Sequence, residues 1–322
     1  MPDDSHANAD APEPDTAEHD AVEASSSDNN GSDEPGTNGE AGPEPELAAV
    51  AEADPAPPLV TRARGLAAVP LTAPAITLTA LVTTLFLMFL LIEPTPRWLA
   101  LFGSAVVALS MDGVLRSARR KPFEAGVDTT PYLFLPSLFV LATPVFLEHN
   151  VRGYWAPPAA LAAGLAFGAV VVAQVASVRE FDPARGAARF VAVAAAYFVA
   201  FALYSLSYRF ELDVSPAMVA AALVSALLAV EILREGEVDL LETLVFATVT
   251  ALIVAEVRWT LHFLPLDGHL AALTLLLAFY FVTGLLHSHL TRQLSALVAA
   301  EYVAIAAAGV ALVAGARAAG LA

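Results

Sequence analysis

The sequence predicts an all-α fold, a polytopic transmembrane bundle of about nine spans behind a disordered acidic amino-terminal tail. Three observations predict it. The 322 residues are 57% hydrophobic and only 15% charged, far below the quarter of charged residues usual in soluble domains. The apolar residues fall into runs of bilayer-spanning length, each bounded by charges, prolines or glycines. The charge is also segregated: residues 1–60 hold 16 of the 33 acids and none of the 16 Lys or Arg, so all but one unit of the net charge of −17 belongs to the tail.

The tail is placed at residues 1–68 and the transmembrane domain at 69–322. From Met1 to about Pro58 the chain is Ala, Asp, Glu, Pro, Ser, Gly and Asn, too poor in large apolar groups to offset the entropy of ordering. It opens MPDDSHANAD, without the basic and apolar regions of a secretory signal. A solvated spacer is one reading of such a segment. An electrostatic tether for a basic protein partner, spanning residues 1–60, is the other. The absence of cysteine excludes disulfides, thiolate metal sites and cysteine catalysis.

Taken in order, the spans are expected at Ala73 to Ile92, Trp98 to Leu115, Tyr132 to Leu147, Ala156 to Val178, Ala187 to Tyr208, Ser215 to Leu233, Asp239 to Leu264, Gly268 to His287 and Ser295 to Ala318. The third is short and punctuated by Pro131, Pro136 and Pro144, which predicts a kinked or partly re-entrant helix. Pro157-Pro158 suits the first turn of the fourth span. Ser215-Pro216 reads as an N-cap followed by proline at the first helical position. In the fourth span Gly164-Leu165-Ala166-Phe167-Gly168 offers a small-xxx-small face, read as a contact within the chain. No loop between spans exceeds about 17 residues, too few for a soluble catalytic domain.

Orientation follows from the bases, which resist translocation when they flank a helix. With nine spans, eleven of the 16 fall on the side of the tail, among them Arg116, Arg119, Arg120, Lys121, Arg185, Arg189 and Arg234. Five fall on the other: Arg97, Arg152, Arg209, Arg258 and Arg317. The expectation is a multi-pass inner-membrane protein with a cytoplasmic amino terminus and an external carboxyl terminus.

Charges at the centre of a spanning helix cost about 2.5 to 3.5 kcal/mol each, which makes them the first functional candidates. Glu256, about 13 Å along its helix from Pro265, is expected to be buried and to find a partner on another helix. Glu301, which has no local partner, ranks second. Asp112 with Arg116 and Glu231 with Arg234 have the spacing of helix-surface ion pairs near the cytoplasmic interface. Arg258, Trp259 and His262 read as an interfacial belt, the indole at headgroup level and the arginine snorkelling. Glu242 suits the start of its helix. Gln174, Tyr197 and Thr283 are expected to hydrogen-bond neighbouring helices. His287 and His289 do not share a helical face, so no metal site is expected there, nor any cofactor or catalytic motif elsewhere.

The stretch LIVAEVRWTLHFLPLDGHLAALTLLLAFYFVTGLLHSHL resembles a bacterial family of multi-spanning membrane proteins of unknown function, in which an acid and a tryptophan precede a Phe-Leu-Pro hinge and a tyrosine-containing helix follows. The resemblance implies an integral membrane protein and assigns it no activity. The leading functional reading is a non-enzymatic envelope scaffold or accessory subunit, in contact with membrane lipids and not with nucleic acid. The alternative is a transporter of a small solute or lipid that uses Glu256 and Glu301 as buried acids. A prenyl-transfer-type enzyme ranks last, because the repeated aspartates that would hold metal ions are missing from the second-to-third loop.

Overall fold

The computed structural model describes residues 72–93, 97–118, 131–178, 185–234, 240–264 and 266–319. The tail, most of the second-to-third loop with Arg119, Arg120 and Lys121, and Pro265 of the hinge lie outside the described residues. Among those described there are nine helices long and apolar enough to cross a membrane, and no strand. They are α1 (Ala73–Leu91), α2 (Trp98–Ala118), α3 (Pro131–Asn150), α4 (Ala156–Val178), α5 (Arg185–Arg209), α6 (Val214–Leu233), α7 (Leu240–His262), α8 (Gly268–Leu290) and α9 (Ala296–Ala318). This is a multi-pass membrane protein, with each helix within a few residues of the apolar run that predicts it.

The re-entrant alternative for the third span and the N-cap expected for the sixth need correction. α3 is a continuous helix through Pro136 and Pro144, both buried. It packs against α1, α2, α4, α5 and α6, and the Ser104 hydroxyl of α2 donates to the Ser137 carbonyl at 2.9 Å, so neighbours enclose the stretch that the prolines weaken. α6 starts at Val214, with Asp213 rather than Ser215 at the N-cap position, and the Asp213 side chain makes no capping bond. Pro216 therefore lies within the first turn, where its missing N–H has no intrahelical partner to lose. Ser295 does cap α9, accepting from the Val298 amide at 3.3 Å.

α5 is central too and touches α3, α4, α6 and α8. A chain of rings, Phe167–Phe139–Phe198–Phe146–Phe201, joins α4, α3 and α5 with centroid separations of 5.9 to 6.1 Å. The Gly164 and Gly168 face closes on α1, where Thr83 and Thr79 lie opposite, as the small-xxx-small pattern implies. The same contact shows α1 and α4 to be antiparallel, since Gly164 meets Thr83 while Gly168 meets Thr79. Tyr197 with Thr283 and Ser205 with His269 set α5 against α8 in the same manner. By contrast α9 rests, among the described helices, on α8 alone, and Val313 is its one buried residue.

Candidate functional site

The antiparallel pairs bring the starts of α3 and α5 to the same end of the bundle as the ends of α4, α6 and α8. Polar side chains collect there. Gln174 of α4 donates to Glu231 Oε1 of α6 at 2.7 Å, and Arg234 Nη2, just past α6, donates to both Gln174 Oε1 and Glu231 Oε1 at 2.9 Å. The Arg234 guanidinium also lies 3.6 Å from the centroid of the Tyr132 ring at the start of α3. Glu231 is 5% exposed, so the ion pair expected at the helix surface is a buried one. The correction has a physical reason: α6 packs on α3, α5, α7 and α8, leaving this end of it little free circumference. Burial of the pair is tolerable because Gln174 shares the carboxylate and the guanidinium stacks on an aromatic face.

Beside this triad is a half-open cavity of about 210 Å³, lined by Tyr132, Ser177, Arg185, Arg189, Glu231 and Arg234 among others. Arg189 Nη2 is 3.0 Å from His287 Nε2 of α8. Among the described residues the wall carries three guanidinium groups and one carboxylate, whose Oε1 accepts from Arg234 and Gln174. Glu231 and Arg234 were legible from their spacing. Tyr132 and Arg189 were not singled out from the sequence, and only the folded geometry joins them to residues tens of positions away.

The remaining candidates do not gather at this cavity. Asp112 pairs with Arg116 at 2.8 Å on a partly exposed face of α2, a geometry worth about 0 to 1 kcal/mol. Glu256 and Glu301 are both exposed on the outside of the bundle, contrary to the expected burial of Glu256. Each sits on a helix with few inward positions, and α7 turns Arg258 inward instead. Arg258 is 3% exposed and does not snorkel: its guanidinium lies over Tyr208 of α5, 3.9 Å from the ring centroid. Its Nε and Nη1 have no hydrogen-bond partner among the described residues. Trp259 and His262 are exposed, flanking Phe263, and stay compatible with an interfacial belt. Among the described residues no three His, Asp or Glu side chains come together in a way that would hold a metal ion.

The Arg258–Tyr208 contact is desolvated, where a cation over a ring is worth about 2 kcal/mol or more. Tyr208→Leu is expected to destabilise the protein by about that amount, and Arg258→Met to remove most of the difference. A double-mutant cycle read by thermal unfolding in detergent checks the coupling, and a cycle that closes to zero refutes it.

No curated protein and no solved structure matches the chain significantly. A family model described as "Protein of unknown function (DUF5656)" matches residues 76–316, a stretch that takes in nearly all of the nine helices. That match covers well over half of the chain, and the protein belongs to the DUF5656 family of proteins of unknown function.

Proposed function

We propose that this protein is a non-enzymatic accessory subunit or scaffold of a bacterial inner membrane, its amino terminus cytoplasmic and its carboxyl terminus outside. The observation that carries the reading is the position of Glu301. It lies on the exposed surface of α9, a helix that among the described helices touches α8 alone. A carboxylate turned outward from a spanning helix is costly against lipid, and a partner helix bearing a basic group at the same depth removes that cost. Glu256 on α7 offers a second acid of the same kind. The acidic residues 1–60 would add a cytoplasmic tether for a basic protein partner. The transporter alternative needs Glu256 and Glu301 inside the bundle, and their exposure leaves it without its coupling acids.

Photo-crosslinking from Ala300 and Ala304, which flank Glu301 on the exposed face of α9, tests the reading in intact cells. A discrete protein adduct is expected, weakened several-fold by Glu301→Ala and by removal of residues 1–60, with membrane insertion unchanged. Adducts to lipid alone, unaffected by either change, would overturn the proposal.

A further inference from the structure

We infer that the junction of α3 and α4 is a binding site for the headgroup of an anionic phospholipid, with Arg152 holding the phosphate and Trp155 and Asn150 beside it. The site is an open cavity of about 420 Å³, lined by Asn150, Val151, Arg152, Trp155, Pro158 and Ala159. That volume falls in the range of small-molecule sites, about 300 to 1,000 Å³. Asn150 ends α3 and Ala156 begins α4, so the cavity sits where two spanning helices leave the bilayer, at the level of lipid phosphates. Under the orientation proposed above this is the outer leaflet, and the chemistry of the wall is the same in either.

The wall carries the groups that such a ligand needs. Among the described residues it holds one guanidinium and no carboxylate, so its charge is positive. Arg152 is exposed, and among the described residues its guanidinium has no hydrogen bond or ion pair, which leaves a planar fork open to two phosphate oxygens. Trp155, 59% exposed, has an indole N–H to donate at headgroup level. Asn150 donates its Nδ2 to the Phe146 carbonyl at 2.7 Å, which fixes the amide and leaves Oδ1 to accept from a headgroup hydroxyl. The chain passes from α3 to α4 through a single 3-10 turn, Gly153–Trp155, whose glycine takes the left-handed conformation at φ 64°. That turn brings Arg152 and Trp155 onto the wall of one cavity. An apolar track distinguishes a lipid from a free phosphate. Pro158, Leu161 and Leu165 follow one face of α4 at spacings of three and four, with Leu161 50% and Leu165 75% exposed. The track leads from the cavity toward the middle of the bilayer, where an acyl chain lies and a free phosphate has nothing to touch.

The test uses the full chain in nanodiscs of phosphatidylcholine and phosphatidylglycerol in equal parts, with the retained lipid read by native mass spectrometry. Phosphatidylglycerol is expected to be enriched over phosphatidylcholine, and Arg152→Gln to lower that enrichment about fivefold, the contribution of one basic residue near an anionic lipid surface. Arg209→Gln removes an exposed arginine at the end of α5, the same end of the bundle, and is expected to leave the enrichment unchanged. A second readout is local. With Trp98→Phe and Trp259→Phe, Trp155 is the remaining tryptophan of the three, and its emission is expected to shift saturably as the phosphatidylglycerol fraction rises. Arg152→Gln should abolish that response, and because Arg152 is exposed the substitution removes no core packing. Equal retention of the two lipids, equal losses in Arg152→Gln and Arg209→Gln, or competition by soluble glycerol phosphate as strong as that by the lipid would overturn the proposal.

Discussion

Glu231→Leu is expected to destabilise the protein by about 3 to 5 kcal/mol, the largest effect of any single substitution at the polar end of the bundle. The reason is the company that the carboxylate keeps. Removing it leaves the Arg234 guanidinium, whose side chain is 15% exposed, with a buried positive charge that among the described residues faces the amide oxygen of Gln174 and the ring of Tyr132. It also strands the Gln174 amide nitrogen, whose hydrogen bond to Glu231 is the shortest in the triad at 2.7 Å. Glu231→Gln keeps an acceptor and should cost distinctly less. The double variant Glu231→Leu with Arg234→Met removes both charges and should recover most of the loss, since buried pairs replaced by apolar groups are often neutral. Reversible unfolding in mixed micelles measures all three. A double variant no more stable than Glu231→Leu alone would show that the pair does not act as a unit.

The second large effect is expected at the seam between α1 and α4. A Cβ added at Gly164 would lie 2.8 Å from Thr83 Cβ and closer still to Thr83 Oγ1. Neither atom can yield easily. The hydroxyl is held by a 2.8 Å bond to the Thr79 carbonyl, and Cβ is fixed by the backbone of α1 itself. Gly164→Ala must therefore separate the helices, at about 1 to 3 kcal/mol of overpacking. Thr83→Ala keeps the offending Cβ, so it should rescue Gly164→Ala only in part. Gly113 of α2 is the control, with nothing within 4 Å of the added carbon. Gly113→Ala should gain about 0.5 to 1 kcal/mol from backbone entropy. Equal effects at the two glycines in a thermal melt would refute the packing argument.

These two cases also mark how far the sequence could be read. Spans were legible because length and apolarity are one-dimensional properties: Ala156–Val178 was placed to the residue at both ends, and the others to within a few. Gly164 and Gly168 announced a close seam, though not that Thr83 and Thr79 would fill it. The interior face of a helix was not legible. In a membrane protein the lipid side is as apolar as the core, so α7 reads alike all round and gave no sign that Arg258 faces inward and Glu256 outward. The polar cavity failed for a different reason. Glu231 and Arg234 are three apart, while Gln174 is 57 residues from Glu231 and His287 is 98 from Arg189. Such partners are chosen by topology. The prolines of α3 report local helix strain, whereas five enclosing helices decide whether the stretch they weaken is shielded well enough to run as one helix.

The single seam of α9 bears on how the molecule is made. The contacts among the other eight described helices do not involve α9, so they can form before it docks. In that order of assembly α9 docks laterally onto a template of the other described helices, and it can detach without opening any junction between them. Biogenesis and partner exchange would therefore run through the same edge of the molecule.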